Sequence, residues 1–222
     1  MRTGTPRALG PVVAVATALT LALVPTTASS ADAEPAFTSS VQRIDKQLKK
    51  RMAFSWRKGC PVPRRDLRYV TVSYVAFRGA VRQGELVVHK SVATDVVGVF
   101  EKLYDARFRV RRMRLVDDYR GSDAYSMASN NTSAFNCRKV SGTSRWSEHA
   151  YGKALDLNPV QNPYVRGGYV APIKGEAYVD RTRLRKGMVD DTVRDAFASI
   201  GWGWGGTWKK AKDYQHFSAS GR

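Results

Sequence analysis

The spacing of apolar residues changes period several times along the chain, and each change marks an element. From Val41, VQRIDKQLKKRMAF carries apolar residues at helical spacing and predicts a helix. LRYVTVSYVAF and GELVVHKSV are rich in Val and Tyr and predict two strands joined through the Gly79 to Gly84 turn region. Thr94 is placed to cap a helix running through DVVGVFEKLYDARF, and VRRMRLVDDY alternates apolar and polar residues as a further strand. The polar, turn-rich stretch GSDAYSMASNNTSAFNCRKVSGTSR has the length expected of a binding loop. Farther on, ALDLN alternates as a strand, with Ala154, Asp156 and Asn158 on one face and Leu155 and Leu157 toward the core. A Pro- and Gly-bearing excursion follows, then DDTVRDAFASIG predicts a helix ended by Gly201, and QHFSAS a final strand. There is no internal repeat, and the order of elements is that of a mixed α+β protein.

Residues 1 to 33 stand apart. Arg2 and Arg7 precede an apolar run from Pro11 to Val24, shorter than a spanning helix needs, which leads into the small residues TTASSADA. This is the pattern of a secretory signal peptide cleaved between Ser30 and Ala33, the alternative being a retained anchor, and it predicts a secreted, cell-wall-associated protein with no membrane span in its mature form. At 222 residues with 43% hydrophobic content, one domain with a proper core is expected. Residues 34–106 are read as a helix-and-strand segment packed on a core formed by residues 107–222.

Export bears on the cysteines. Cys60 and Cys137 are the only pair and are expected to form one structural disulfide. Neither CxxC nor HxxxH spacing is present to favour a closed structural zinc site. The formal charge of +18 becomes about +17 after cleavage, spread along KKR, RR, RVRRMR and KKAK. Anionic wall polymers are the partners such charge suits outside a cell. No nucleic-acid reading motif accompanies it, so nucleic acid is not an expected partner.

Candidate chemistry concentrates in WSEHAYGKALDLNP and KDYQHFSA. The chain has only three histidines, and two of them, His149 and His216, fall in these strings. A hydrolytic zinc site takes about three His or carboxylate ligands, with an open position and an acid or base nearby. His149, Asp156 and His216 supply such a set, and Asp213 supplies the acid or base. Seven residues is the wrong parity for His149 and Asp156 to share a strand face, so the chain must turn between them, and Gly152 is where it can. His89 lies outside both strings and reads as structural. Trp202, Trp204, Trp208, Tyr214 and Phe217 cluster around the second string, as core packing or as the wall of a substrate groove.

Ser147, His149, Gly152, Ala154 and Asp156 fit S-x-H-x-x-G-x-A-x-D, and Asp213 with His216 fits D/E-x-x-H. In these motifs the chain resembles the VanY-type D-alanyl-D-alanine carboxypeptidases and L-alanyl-D-glutamate endopeptidases, a branch of the LAS zinc peptidases that cut peptidoglycan stem peptides. The resemblance runs from about Val110 to the C-terminus. It implies a hedgehog/DD-peptidase-like α+β fold whose small central antiparallel sheet, flanked by helices, holds Zn2+. It further implies His149, Asp156 and His216 as ligands, Asp213 as general base and acid, Ser147 and Tyr151 in supporting positions, and an arginine near the reacting carbonyl. Arg120, in VDDYR, is the nearest match for that arginine, with Arg138 the other candidate. The motifs leave open carboxypeptidase or endopeptidase action. A non-catalytic zinc-containing wall-binding module is the alternative to an enzyme.

Overall fold

The computed structural model describes residues 1–6, 8–10 and 35–222. The apolar run and cleavage site of the expected signal peptide lie outside the described residues. Among the described residues no helix is long and apolar enough to cross a membrane. The chain divides into two units, Met1–Glu34 and Pro35–Arg222, and every described helix and strand belongs to the second.

Asp45 decides where the first helix begins. Its carboxylate accepts the backbone N–H of Leu48 at 2.7 Å, the geometry of an N-cap, so only Lys46–Arg51 (α1) is helical. The residues ahead of the cap, Ser39–Arg43 (β1), are extended. The single helix expected from Val41 is thus corrected to a strand and a short helix. β1 pairs antiparallel with Leu67–Ala76 (β2), which pairs on its other edge with Val81–His89 (β3) in a register that sets Leu67 opposite His89. The turn between β2 and β3 is shorter than expected, because Gly84 lies within β3 opposite Val72. A Cβ there would sit 2.4 Å from the sulfur of Met113, so this glycine serves close packing, not a turn.

The next helix, Ala93–Asp105 (α2), has Val92 as its N-cap residue with no side-chain cap, and Thr94 lies inside its first turn, contrary to expectation. Val96, Val99, Phe100 and Leu103 turn toward Val70, Val72 and Tyr74 of β2 in the main core. The strand expected over VRRMRLVDDY shrinks to Arg109–Val110 (β4), parallel to the end of β2. The reason is that β1 already occupies Arg68–Val72 on that edge of β2, leaving only Val75 and Ala76 to pair. Beyond it Val116–Tyr119 forms a 3-10 turn.

Only the end of the polar stretch, residues 141–145, is an exposed loop. The stretch begins with Asp123–Ala128 (α3), capped by Ser122, and then runs inward, burying Asn130, Asn131, Thr132, Ser133 and Asn136. Each buried amide is bonded: Asn131 accepts from Arg114 N at 2.9 Å and donates to Arg114 O at 3.0 Å. The disulfide Cys60–Cys137 is present, with 5.8 Å between the Cα atoms, and Cys137 is fully buried beside Met52, Leu67 and Phe135.

The remaining strands are short: Ala154–Asp156 (β5), Tyr164–Arg166 (β6), Tyr169–Ala171 (β7), Gly203–Trp204 (β8), Lys212–Asp213 (β9) and His216–Ser218 (β10), with Asp191–Ala198 (α4) between β7 and β8. Asp190 caps α4 through Val193 N at 3.0 Å. In place of one small central sheet, the described residues form three: β1 to β4, then β5-β10-β8, then β7-β6-β9. The protein is α+β, as expected. The boundary drawn at residue 106 falls between α2 and β4, and β4 pairs with β2, so the four-stranded sheet takes strands from both sides of it.

Gly152 fixes how β5 meets β3. Its φ is +66°, its carbonyl accepts from His89 N at 2.8 Å, and a Cβ would lie 2.7 Å from that same nitrogen. Gly201 also has positive φ, +76°, but nothing lies within 4 Å of a Cβ built there. Gly201→Ala should therefore cost only the left-handed backbone penalty, about 1–2 kcal/mol, and Gly152→Ala clearly more, as read from urea unfolding. Equal losses would show that the contact with His89 is not tight.

Candidate metal centre

The site is assembled by one turn and one two-strand ladder. Ser147 caps the 3-10 turn Glu148–Tyr151, its Oγ accepting from His149 N at 3.4 Å, and Gly152 reverses the chain into β5. β5 and β10 run antiparallel with Asp156 directly opposite His216, so the ladder itself sets the carboxylate beside the imidazole. His149 reaches the same point from the turn, as the parity of the sequence requires.

Each imidazole is oriented by a carbonyl. His149 Nδ1 donates to Ala134 O at 2.6 Å, and His216 Nε2 donates to Arg222 O at 3.0 Å. A carbonyl only accepts, so these contacts fix the tautomers and leave His149 Nε2 and His216 Nδ1 as bare lone pairs. Those two nitrogens are 3.3 Å apart, and each lies 3.2 Å from an oxygen of Asp156. The three residues are between 3% and 6% exposed, and their ligand atoms all lie within 4.8 Å of one another.

Such a cluster repels itself unless a positive charge sits in it. Three buried acceptors facing one another can be satisfied by protons on the imidazoles or by a cation, and the carbonyl contacts already use the imidazole N–H groups. Two nitrogens and one carboxylate, with no other protein ligand among the described residues, match a divalent cation of the zinc type, with a fourth position left open. Without an ion, charge must be made up by protons. Burial works to raise the pKa of Asp156, but His149 and His216 outweigh it and hold the carboxyl well below its usual range. Burial likewise works against charging His216, and the carboxylates of Asp156 and Asp213 overcome it and raise the imidazole.

Asp213 stands on β9, paired with Tyr164 of β6, one short bend before His216. The bend at Tyr214 and Gln215 leads from Asp213 into β10, and Asp213 belongs to a different sheet from His216. Burial pushes its carboxyl up to about 7, against the pull of His216 and with a smaller push from Asp156 and Asp123. Its Oδ1 is buried with no hydrogen-bond partner. Gly205 closes one side: a Cβ there would lie 2.9 Å from Asp213 Cβ and 3.3 Å from His216 Cβ.

Other expected residues fall in different places. Tyr151 is exposed and lines a groove of about 510 Å³ with Val62, His89, Glu148, Lys153 and Ser220. Arg120 is exposed, in left-handed backbone after a 3-10 turn, and its side chain has no bonded partner among the described residues. Arg138 is half-buried and pairs with Asp123 at 2.9 Å, while its Nε is buried and unbonded. His89 bonds Ser91 Oγ at 2.7 Å and takes no part in the cluster. Of the clustered aromatics, Trp202 and Phe217 are core, with Phe217 stacked on Phe197 at 3.9 Å, and Trp208 lies 5.5 Å from the His216 ring. Sequence reasoning missed the Ala134 carbonyl, Asp123 and Gly205. Only the glycine density of GWGWGGTW hinted at one of them.

In this α+β fold a buried His, Asp, His cluster beside a partnerless carboxyl could hold a metal ion, an arrangement found in metal-assisted hydrolases. Residues 141–219 match the model of a family described as D-alanyl-D-alanine carboxypeptidase. That match supports the resemblance to the VanY-type enzymes, and with it a peptidase. No curated protein and no solved structure matches the chain.

A carboxyl raised from near 4 to about 7 binds its proton more tightly in the folded chain than in the unfolded one. Metal-free protein should therefore lose stability as pH rises from about 4 to about 7, because the unfolded state releases that proton first. Urea unfolding of metal-free Asp213→Asn should lack this decline. A decline unchanged in the variant would assign it to other groups.

Proposed function

We propose that the protein is a secreted zinc metallopeptidase acting on peptidoglycan stem peptides. The observation that carries this reading is the convergence of His149 Nε2, His216 Nδ1 and Asp156 beside the unbonded Oδ1 of Asp213. His149, Asp156 and His216 would hold the ion, which when bound supplies a Lewis acid for the scissile carbonyl and acidifies a water. Asp213 Oδ1 takes the proton of the attacking water and returns it to the leaving amine nitrogen. Its raised pKa suits a group that must both accept and give a proton near neutrality. The tight packing of Gly205 leaves Asp213 little freedom to swing away.

Arg138, not Arg120, is the better candidate to grip the substrate. Its ion pair with Asp123 orients the guanidinium, its Nε lacks a partner, and Asp123 also acts electrostatically on Asp213. Arg120 has none of these connections. A carboxylate or carbonyl of the substrate would complete the bonding of Arg138. Secretion fits the disulfide and the reading of residues 1–33 as a signal peptide.

Mass spectrometry of stem peptides and whole peptidoglycan incubated with zinc-loaded protein tests this directly. Chelator-sensitive loss of terminal alanine is expected of a carboxypeptidase, and a cut inside the stem of an endopeptidase. Asp213→Asn should retain zinc and lose turnover by roughly 100-fold or more, and Arg138→Ala should lose far more activity than Arg120→Ala. If zinc binds and no bond is cut, the wall-binding module takes the place of the enzyme.

A further inference from the structure

A cleft of about 320 Å³ shares no lining residue with the metal centre. One wall is the turn between α2 and β4, with Arg107 and Arg109, and the other is the segment ahead of α4, with Arg185, Lys186 and Asp190. Lys and Arg make up 37 of 222 residues in the chain, yet four of the eleven residues lining this cleft, against one carboxylate. That carboxylate is engaged, since Asp190 caps α4. The lining therefore carries more cations than carboxylates.

Apart from Arg107, the cations of this cleft are held without being neutralised. Arg109 reaches Ala76 O at 3.5 Å. Arg185 bonds Ala177 O and lies 4.0 Å over the ring of Tyr178. None of these partners carries charge, and among the described residues Arg109, Arg185 and Lys186 form no salt bridge.

The two walls are also tied together. Asn158 Nδ2 donates to Arg109 O at 2.7 Å on one wall and to Gly187 O at 3.0 Å on the other. Asn162 Nδ2 adds a second bond to Gly187 O at 3.0 Å. Gly187 has φ +80°, and a Cβ there would sit 2.5 Å from the ring of Phe77, so its backbone has one place to be. The cleft is thus built before any ligand arrives, which lowers the cost of binding.

We propose that this cleft binds the phosphate groups of an anionic phosphodiester polymer. Guanidinium forks match phosphate oxygens, and several cations that outnumber the one carboxylate suit an anion whose charge is spread over more than one oxygen. The one aromatic ring in the lining, Phe108, is buried, so bases would find nothing to stack on and nucleic acid is disfavoured. The proposal does not rest on the peptidase reading.

Equilibrium binding of soluble poly(glycerol phosphate) to the full chain tests it, at one fixed salt concentration. Arg109→Gln with Arg185→Gln should weaken binding roughly tenfold or more, whereas the charge-matched pair Lys49→Gln with Lys50→Gln, exposed on α1, should change it far less. Because Arg109 is half-buried, exposed Lys186→Gln is measured alone and should show a smaller loss in the same direction. Inorganic phosphate, titrated separately, should bind much more weakly than the polymer. Equal losses in cleft and control variants would overturn the proposal, as would phosphate as tight as the polymer, or equal binding of polyglutamate or single-stranded DNA.

Discussion

Three acceptor groups face one another across little more than 3 Å in the interior of this protein, with the imidazole protons turned outward. That arrangement is unfavourable by itself, since buried lone pairs and a carboxylate want either protons or a cation. Everything around it holds it in place. Carbonyls of Ala134 and Arg222 take the outer imidazole protons, the β5 and β10 ladder locks Asp156 against His216, and Gly152 brings His149 in from the side.

The surrounding polar framework extends the same logic. Asn158, two residues after Asp156, bonds Arg111 N, Arg109 O and Gly187 O, joining the end of β5 to β4 and to the segment before α4. Asn162 adds bonds to Leu157 O and Val189 N. A fully bonded amide specifies one arrangement of neighbouring backbones more sharply than apolar packing, because a shifted neighbour leaves a buried group unpaired. Short strands of two or three residues can form a rigid site here because side-chain amides do the work that longer ladders do elsewhere.

Much of the site was legible in the chain, and the reasons are local. His149, Gly152, Asp156, Asp213 and His216 occur in two short strings whose spacing reflects one turn and one strand pair, so sequence distance translated into space. What the sequence hid depended on contacts between distant segments. The acceptor of His149 is a backbone carbonyl at Ala134, which no side-chain pattern can announce. The polar run read as a loop because buried asparagines look like surface ones until their partners are known. Helical spacing through VQRIDKQLKKRMAF was real, but the cap at Asp45 set its start later than periodicity alone could tell. The partner of Arg138 is Asp123, which contributed no motif of its own.

Anomalous diffraction at the zinc edge, on crystals of the zinc-loaded protein, tests the central claim most directly. The expected result is a single strong peak bonded to His149 Nε2, His216 Nδ1 and Asp156, at about 2.0–2.2 Å from each, with Asp213 beside the open position. Zinc found elsewhere, or a site left empty with His149 and His216 protonated toward Asp156, would contradict it.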